Sequence, residues 1–214
     1  MDQLIPLVIK LQEAFDVINA RNTLEFPQIV TLGMQSAGKS SVLEAIVGRD
    51  FLPRGVGIVT RCPLVLSLRR IDVEKPGADP REYGEFLHKK GQKYYDFRLI
   101  TAEIEAQTDV VAGDKKNISS TPISLTIYSP KVLDLTMVDL PGLTKVPTQG
   151  QPSDIAQQIH NLVMSYISQP NALILALSPA NVDLANSDSL KLAIQVDTKR
   201  ERTIGVITKI DLMD

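Results

Sequence analysis

The chain has 214 residues, 43% of them hydrophobic and 22% charged, with 12 glycines and 13 prolines; this is ordinary globular usage and excludes collagen, coiled coil and bulk disorder. Lys and Arg number 23 against 25 Asp and Glu, a net charge of −2, so no global basic field argues for nucleic acid as a partner. The one cysteine, Cys62, excludes an internal disulfide framework and a cysteine-based zinc site, and suits a reducing compartment.

In chain order, apolar residues Leu4, Leu7, Val8, Leu11, Phe15 and Ile18 recur in steps of three and four, which predicts one stripe of an amphipathic helix. Asp2, Lys10, Glu13 and Asp16 interrupt any signal-peptide pattern there. Residues 29–32 are a short β-branched run predicting a buried strand. Residues 40–47 predict a helix closed by Gly48. Residues 51–61 are rich in turn formers, and Leu64, Leu66 and Leu68 alternate as in a strand. The polar stretch 72–120 is expected as an insertion, with a loop at 72–80 and a helix at 102–108. Strands follow at 123–128 and 133–138, then a helix over 155–167 capped by Ser153 or Asp154. A strand at 172–177, a helix at 187–196 and a strand at 203–207 complete the chain. The run at 172–177 is the longest purely apolar one, far short of the ~20 residues that span a bilayer. Strands alternating with helices predict an α/β fold with a mostly parallel sheet covered on both faces.

Three motifs carry chemistry. Gly33-Met34-Gln35-Ser36-Ala37-Gly38-Lys39-Ser40 fits the phosphate-loop pattern G-x-x-x-x-G-K-[ST] between a predicted strand and a predicted helix. The glycines let successive N–H groups converge on phosphate oxygens, and the helix that follows points its positive end at the same anion. Lys39 adds a charge for the β- and γ-phosphates, and the Ser40 hydroxyl can ligate Mg²⁺. At Asp139-Leu140-Pro141-Gly142 a carboxylate stands at a strand's carboxyl end, where open α/β sheets bind ligands. Asp139 can hold Mg²⁺ and Gly142 can offer its N–H to a γ-phosphate. Thr208-Lys209-Ile210-Asp211 matches the base-reading pattern [NT]-K-x-D. The Asp211 carboxylate can accept from both guanine N1–H and N2–H₂, a donor pair adenine lacks, while the Lys209 stem packs along the base.

By these motifs the chain resembles the dynamin superfamily of large GTPases. Gln35-Ser36-Ala37-Gly38-Lys39-Ser40-Ser41 resembles that family's phosphate loop. Leu52-Pro53-Arg54-Gly55 with Gly57-Ile58-Val59-Thr60-Arg61 resembles its first switch, and Asp139 through Pro147 its second. The resemblance runs from residue 1 to residue 214. It implies a P-loop NTPase fold, GTP and GDP as ligands, and Mg²⁺ held by Ser40, Thr60 and Asp139. It implies a Na⁺ or K⁺ ion held by Ser36 and the carbonyls of Gly55 and Gly57, in place of an arginine finger. Leu143 stands where small GTPases have a catalytic Gln; the resemblance instead gives Gln35 and Thr60 the attacking water, and Thr144 a bridging water. Arg54 joins the nucleotide site on the same basis.

The implied catalytic geometry forms when two such domains dimerise across their nucleotides. The implied partners are GTP, a second copy of the domain, a membrane reached only through regions beyond residue 214, and the cytoskeleton. The implied location is cytoplasmic, peripheral to a membrane in the parent. The N-terminal stripe is read as one strand of a small helical bundle, and the chain as a fragment of a longer protein or a naturally shortened one. His88 and His160 lack partners at metal-ligand spacing, and Arg69-Arg70 is too short a basic run for nucleic acid.

Overall fold

A computed structural model describes residues 27–55, 59–74, 79–113, 117–147 and 150–213. The expected N-terminal helix lies outside these residues, as does Gly57.

Eight strands form one sheet in the order β4-β3-β5-β2-β6-β1-β7-β8. The strands are β1 (Gln28–Leu32), β2 (Leu64–Arg70), β3 (Tyr83–Phe86), β4 (Lys93–Tyr94), β5 (Ile123–Ser129), β6 (Leu135–Asp139), β7 (Ala172–Pro179) and β8 (Thr203–Thr208). Among the described residues four α-helices accompany them: α1 (Lys39–Val47), α2 (Phe97–Ala112), α3 (Ile155–Ile167) and α4 (Asp188–Val196). β1 pairs in parallel with β6 and β7, β7 with β8, and β2 with β5. The β2–β6, β3–β5 and β3–β4 ladders are antiparallel.

Two cores sandwich the sheet, as alternation along buried strands requires. On β6, Met137 joins the core that holds Leu43 of α1, Ile100 and Ile104 of α2, and Leu66 and Leu68 of β2. Its neighbour Val138 joins the opposite core, with Val30 and Leu32 of β1, Ile159 and Val163 of α3, and Leu192 of α4. Each fully buried Leu, Ile or Val side chain contributes roughly 1.5–3 kcal/mol before ordering entropy is subtracted.

The polar stretch expected as an insertion supplies β3, β4 and α2, and its Phe86, Tyr94, Ile100 and Ile104 are core residues. α2 is longer than the expected 102–108 because Asp96 caps it, its carboxylate accepting the Arg98 N–H. Two further local readings change. Asp154 is the N-cap of α3, yet its side chain makes no capping bond; it accepts from Gln158 Nε2 at 2.9 Å. β6 begins at Leu135 because Leu133 is exposed. Ser187 does cap α4, accepting the Leu190 N–H. Among the described residues no helix is long and apolar enough to cross a membrane.

Candidate active site

β1 ends at Leu32 and α1 begins at Lys39, so residues 33–38 carry the chain from a central strand into a helix N-terminus. Two left-handed positions shape the turn, Ser36 at φ 61° and Gly38 at φ 88°. Glycine takes that conformation freely; at Ser36 it is strain of the kind that concentrates at functional sites. The Ala37 N–H donates to Met34 O at 3.0 Å and the Val42 N–H to Gly38 O at 3.1 Å.

The loop is laced to the chain after β6. Met34 and Leu143 form an isolated parallel bridge, the Gln35 N–H donates to Leu143 O (3.1 Å), and the Leu143 N–H donates to Gly33 O (3.0 Å). Gly142 therefore lies against the loop itself. A Cβ there would sit 2.7 Å from Gln35 Cα, 2.8 Å from Gln35 N and 3.1 Å from Lys39 Nζ, so no side chain fits. From the other flank, the Thr208 hydroxyl donates to Ala37 O at 2.7 Å, tying the end of β8 to the same loop.

Asp139 is the last residue of β6 and is buried. The Thr31 hydroxyl lies 3.2 Å from its Oδ1 and 3.1 Å from Val138 O, and the Thr60 hydroxyl lies 3.4 Å from its Oδ2. Burial pushes the Asp139 carboxyl above the usual carboxylate range, against the pull of the Lys39 cation. Burial likewise pushes the Lys39 ammonium down, against the pull of Asp139. Each charge is thus short of counter-charge in the free protein. Phosphates beside Lys39 and a divalent cation beside Asp139 would supply it, and the hydroxyls of Ser40 and Thr60 with the Asp139 carboxylate are the hard oxygen donors Mg²⁺ prefers.

The cleft over this loop encloses about 290 Å³ and is lined by residues 35–41 with Pro53, Arg54, Gly55, Val59, Thr60, Gly142 and Lys209. It brings residues 35–41 of the phosphate loop together with Arg54, Gly55, Thr60, Gly142 and Lys209, while Gly33, Met34, Asp139, Thr144, Thr208 and Asp211 are not among its lining. Three stand differently from expectation. The Arg54 guanidinium is paired with Glu44 at 2.7 Å and Asp50 at 3.2 Å. The Thr144 hydroxyl donates to Val146 O at 3.1 Å. Asp211 is exposed in the short turn Ile210–Leu212, after Lys209 at φ 55°, and is not among the lining residues. Sequence reasoning missed Thr31 and Glu44. A lone polar residue inside each apolar run, on β1 and on α1, is the signal that marks them.

A larger groove of about 700 Å³ lies elsewhere, lined by Arg49, Asp50, Arg81, Glu82, Asp96, Lys131 and neighbouring residues. Every one of those charges has an opposite partner within the protein: Arg49 and Lys131 with Glu82, Arg81 with Asp79, Asp96 with Arg98, and Asp50 with Arg54. It is larger than the phosphate-loop cleft but offers no comparable chemistry.

A mostly parallel α/β sheet with a phosphate loop after β1, an Asp-x-x-Gly turn after β6 and a base-reading motif after β8 defines a P-loop GTPase domain. Within that class the chain belongs to the dynamin family, whose model matches residues 29–210. It is 58% identical over 214 residues to Dynamin-A of Dictyostelium discoideum, covering 100% of this chain and 25% of that relative. It is 59% identical to Dynamin-3 of Rattus norvegicus and 58% to Dynamin-1 of Homo sapiens, in each case over all of this chain and 24% of the relative. The chain spans about a quarter of the length of the curated relatives it matches.

Proposed function

We propose that the chain binds GTP over residues 33–40 and hydrolyses it to GDP and phosphate in a Mg²⁺-dependent reaction. The observation that carries this reading is the convergence of three strand ends on one loop, through the Gln35–Leu143 and Thr208–Ala37 hydrogen bonds. Convergence makes chemical sense because phosphoryl transfer asks for little covalent help; positioning and charge stabilisation do nearly all the work.

In this reading the backbone N–H groups of residues 35–40 and the Lys39 ammonium hold the β- and γ-phosphates. Gly142 brings its N–H to the γ-phosphate from the opposite side. Ser40, Thr60 and Asp139 would hold Mg²⁺, which would supply charge neutralisation to the phosphates. Gln35 and Thr60 orient the attacking water, and Thr144 fixes a bridging water once the second switch rearranges around nucleotide. Arg54 and Gly55 flank the phosphates, and Ser36 with the carbonyls of Gly55 and Gly57 holds a Na⁺ or K⁺ ion. Thr208 braces the loop while Lys209 and Asp211 read guanine, Asp211 turning inward when the base arrives.

Family membership supports dimerisation across the nucleotides as the event that completes the site. It also supports a place in a cytoplasmic, membrane-associated machine that remodels or severs membranes. The hydrolysis reading is tested by single-turnover assays with GTP and ATP, with and without Mg²⁺. Turnover confined to GTP and to Mg²⁺ supports it; equal use of ATP contradicts the base reading.

A further inference from the structure

Glu44 sits in α1, the helix that follows the phosphate loop, and is only 4% exposed. A carboxylate is costly to bury unless donors surround it. Its donors all come from one short segment. Oε1 accepts the N–H groups of Phe51 and Leu52, each at 2.9 Å, and Oε2 accepts from Arg54 Nη2 at 2.7 Å. The Phe51 carbonyl is held as well, accepting from the Thr101 hydroxyl of α2 at 2.9 Å. Phe51 and Leu52 bury their side chains in the core between α1 and α2.

From this anchor the chain runs straight into the cleft. Pro53, Arg54 and Gly55 line it, and so does Thr60, whose hydroxyl meets Asp139. Glu44 therefore joins the phosphate-loop helix to the base of the loop that must present Thr60. A purely space-filling residue at this helix position would be apolar, like its neighbours Leu43 and Val47. A charged one here seats backbone N–H groups that an apolar side chain would leave unpaired.

We propose that Glu44 is a positioning residue for GTP hydrolysis: by holding Phe51, Leu52 and Arg54 to α1 it sets the cleft wall of Pro53, Arg54 and Gly55 beside which Thr60 meets Asp139. This rests on the GTPase reading above. It touches neither nucleotide nor reacting atoms; its effect passes through Phe51, Leu52 and Arg54. The signature of such a role is a loss in turnover without an equal loss in binding, because the phosphate loop and the base motif stay intact.

The test combines amide hydrogen exchange, GTP affinity and single-turnover rate on the full chain. In Glu44→Ala the amides of Phe51 and Leu52 exchange at least about tenfold faster, since their acceptor is gone. The hydrolysis rate falls about tenfold while the Kd for GTP stays within about threefold. Glu44→Gln keeps one acceptor oxygen and loses the charge facing Arg54, so its rate falls about threefold, between the two. Where Glu44→Ala does not fold, Glu44→Gln decides by the same three readouts. Wild-type exchange, a wild-type rate, or an affinity loss as large as the rate loss each overturns the proposal. A wild-type chain that hydrolyses no GTP overturns the functional reading and this role with it. That outcome is distinct, because failure of the proposal alone leaves the wild type active.

Discussion

At the scale of single residues, the site is a set of charges and donors held short of their partners. Lys39 and Asp139 are both buried and both pushed toward neutrality by burial, each opposed by the other. Gln35 and Thr60 stand differently, half-buried at the cleft wall. Alanine at either should reduce turnover about tenfold or more with GTP affinity changed much less, the pattern of contacts made mainly in the transition state. Parallel rate and binding measurements check this, and equal losses in both would refute the role. Asp211→Asn should relax the preference for GTP over ATP, because the amide NH₂ that replaces one carboxylate oxygen would set a donor against one of the two guanine donors. Competition of ATP against labelled GTP measures it, and unchanged discrimination would refute the base assignment. Lys39, Asp139, Gly142 and Thr208 were legible in the sequence because each stands within a patterned motif, Lys39 at a helix start and the others at or just after a strand end. Thr31 and Glu44 were not, since their meaning depends on partners 108 and 7–10 residues away in the chain.

At the scale of elements, hydrogen bonds between turns decide how the site is held. Gly142 is pressed on Gln35 and Lys39 so closely that any Cβ collides with backbone. Gly142→Ala must therefore displace the turn after β6 or the phosphate loop. GTP turnover per unit affinity should fall by about tenfold or more, equivalent to about 1.4 kcal/mol, and steady-state kinetics measure it. A second turn, between α4 and β8, is organised by Asp197. Its carboxylate accepts the Thr203 hydroxyl at 2.6 Å and the N–H groups of Arg202 and Glu201 at 3.0 and 3.1 Å. The Thr203 hydroxyl first, and those N–H groups with it, hold the carboxyl below its ordinary value. The folded pKa thus lies below the unfolded one of about 3.9, so the stabilisation is present above that pH and is lost as pH falls through the folded value. Asp197→Asn should lower the Tm at pH 7 and flatten its decline below about pH 4, a difference that thermal melts across pH would show. Helices α1, α3 and α4 and the central strands were readable from periodicity, whereas α2 was read only in its middle. β3 and β4 were not, because they are short antiparallel strands within a polar stretch, β4 at the sheet's edge. The antiparallel β2–β6 pairing was also hidden, as pattern gives burial but not strand direction.

At the scale of the whole molecule, one sheet and two cores bring three distant motifs to a single loop. Membership of the dynamin family is the ground on which stimulation of the nucleotide site by dimerisation is proposed. Dimer stimulation should make the specific GTPase rate rise with protein concentration and with K⁺, and a rate flat in both would argue for an isolated switch. The central claim is narrower and is tested most directly by GTP binding to the wild type and to Lys39→Ala under matched Mg²⁺. The account predicts that the substitution weakens GTP binding by about 100-fold or more, because neutral N–H groups alone must then face the phosphate charge. Equal affinity in the two proteins would contradict it.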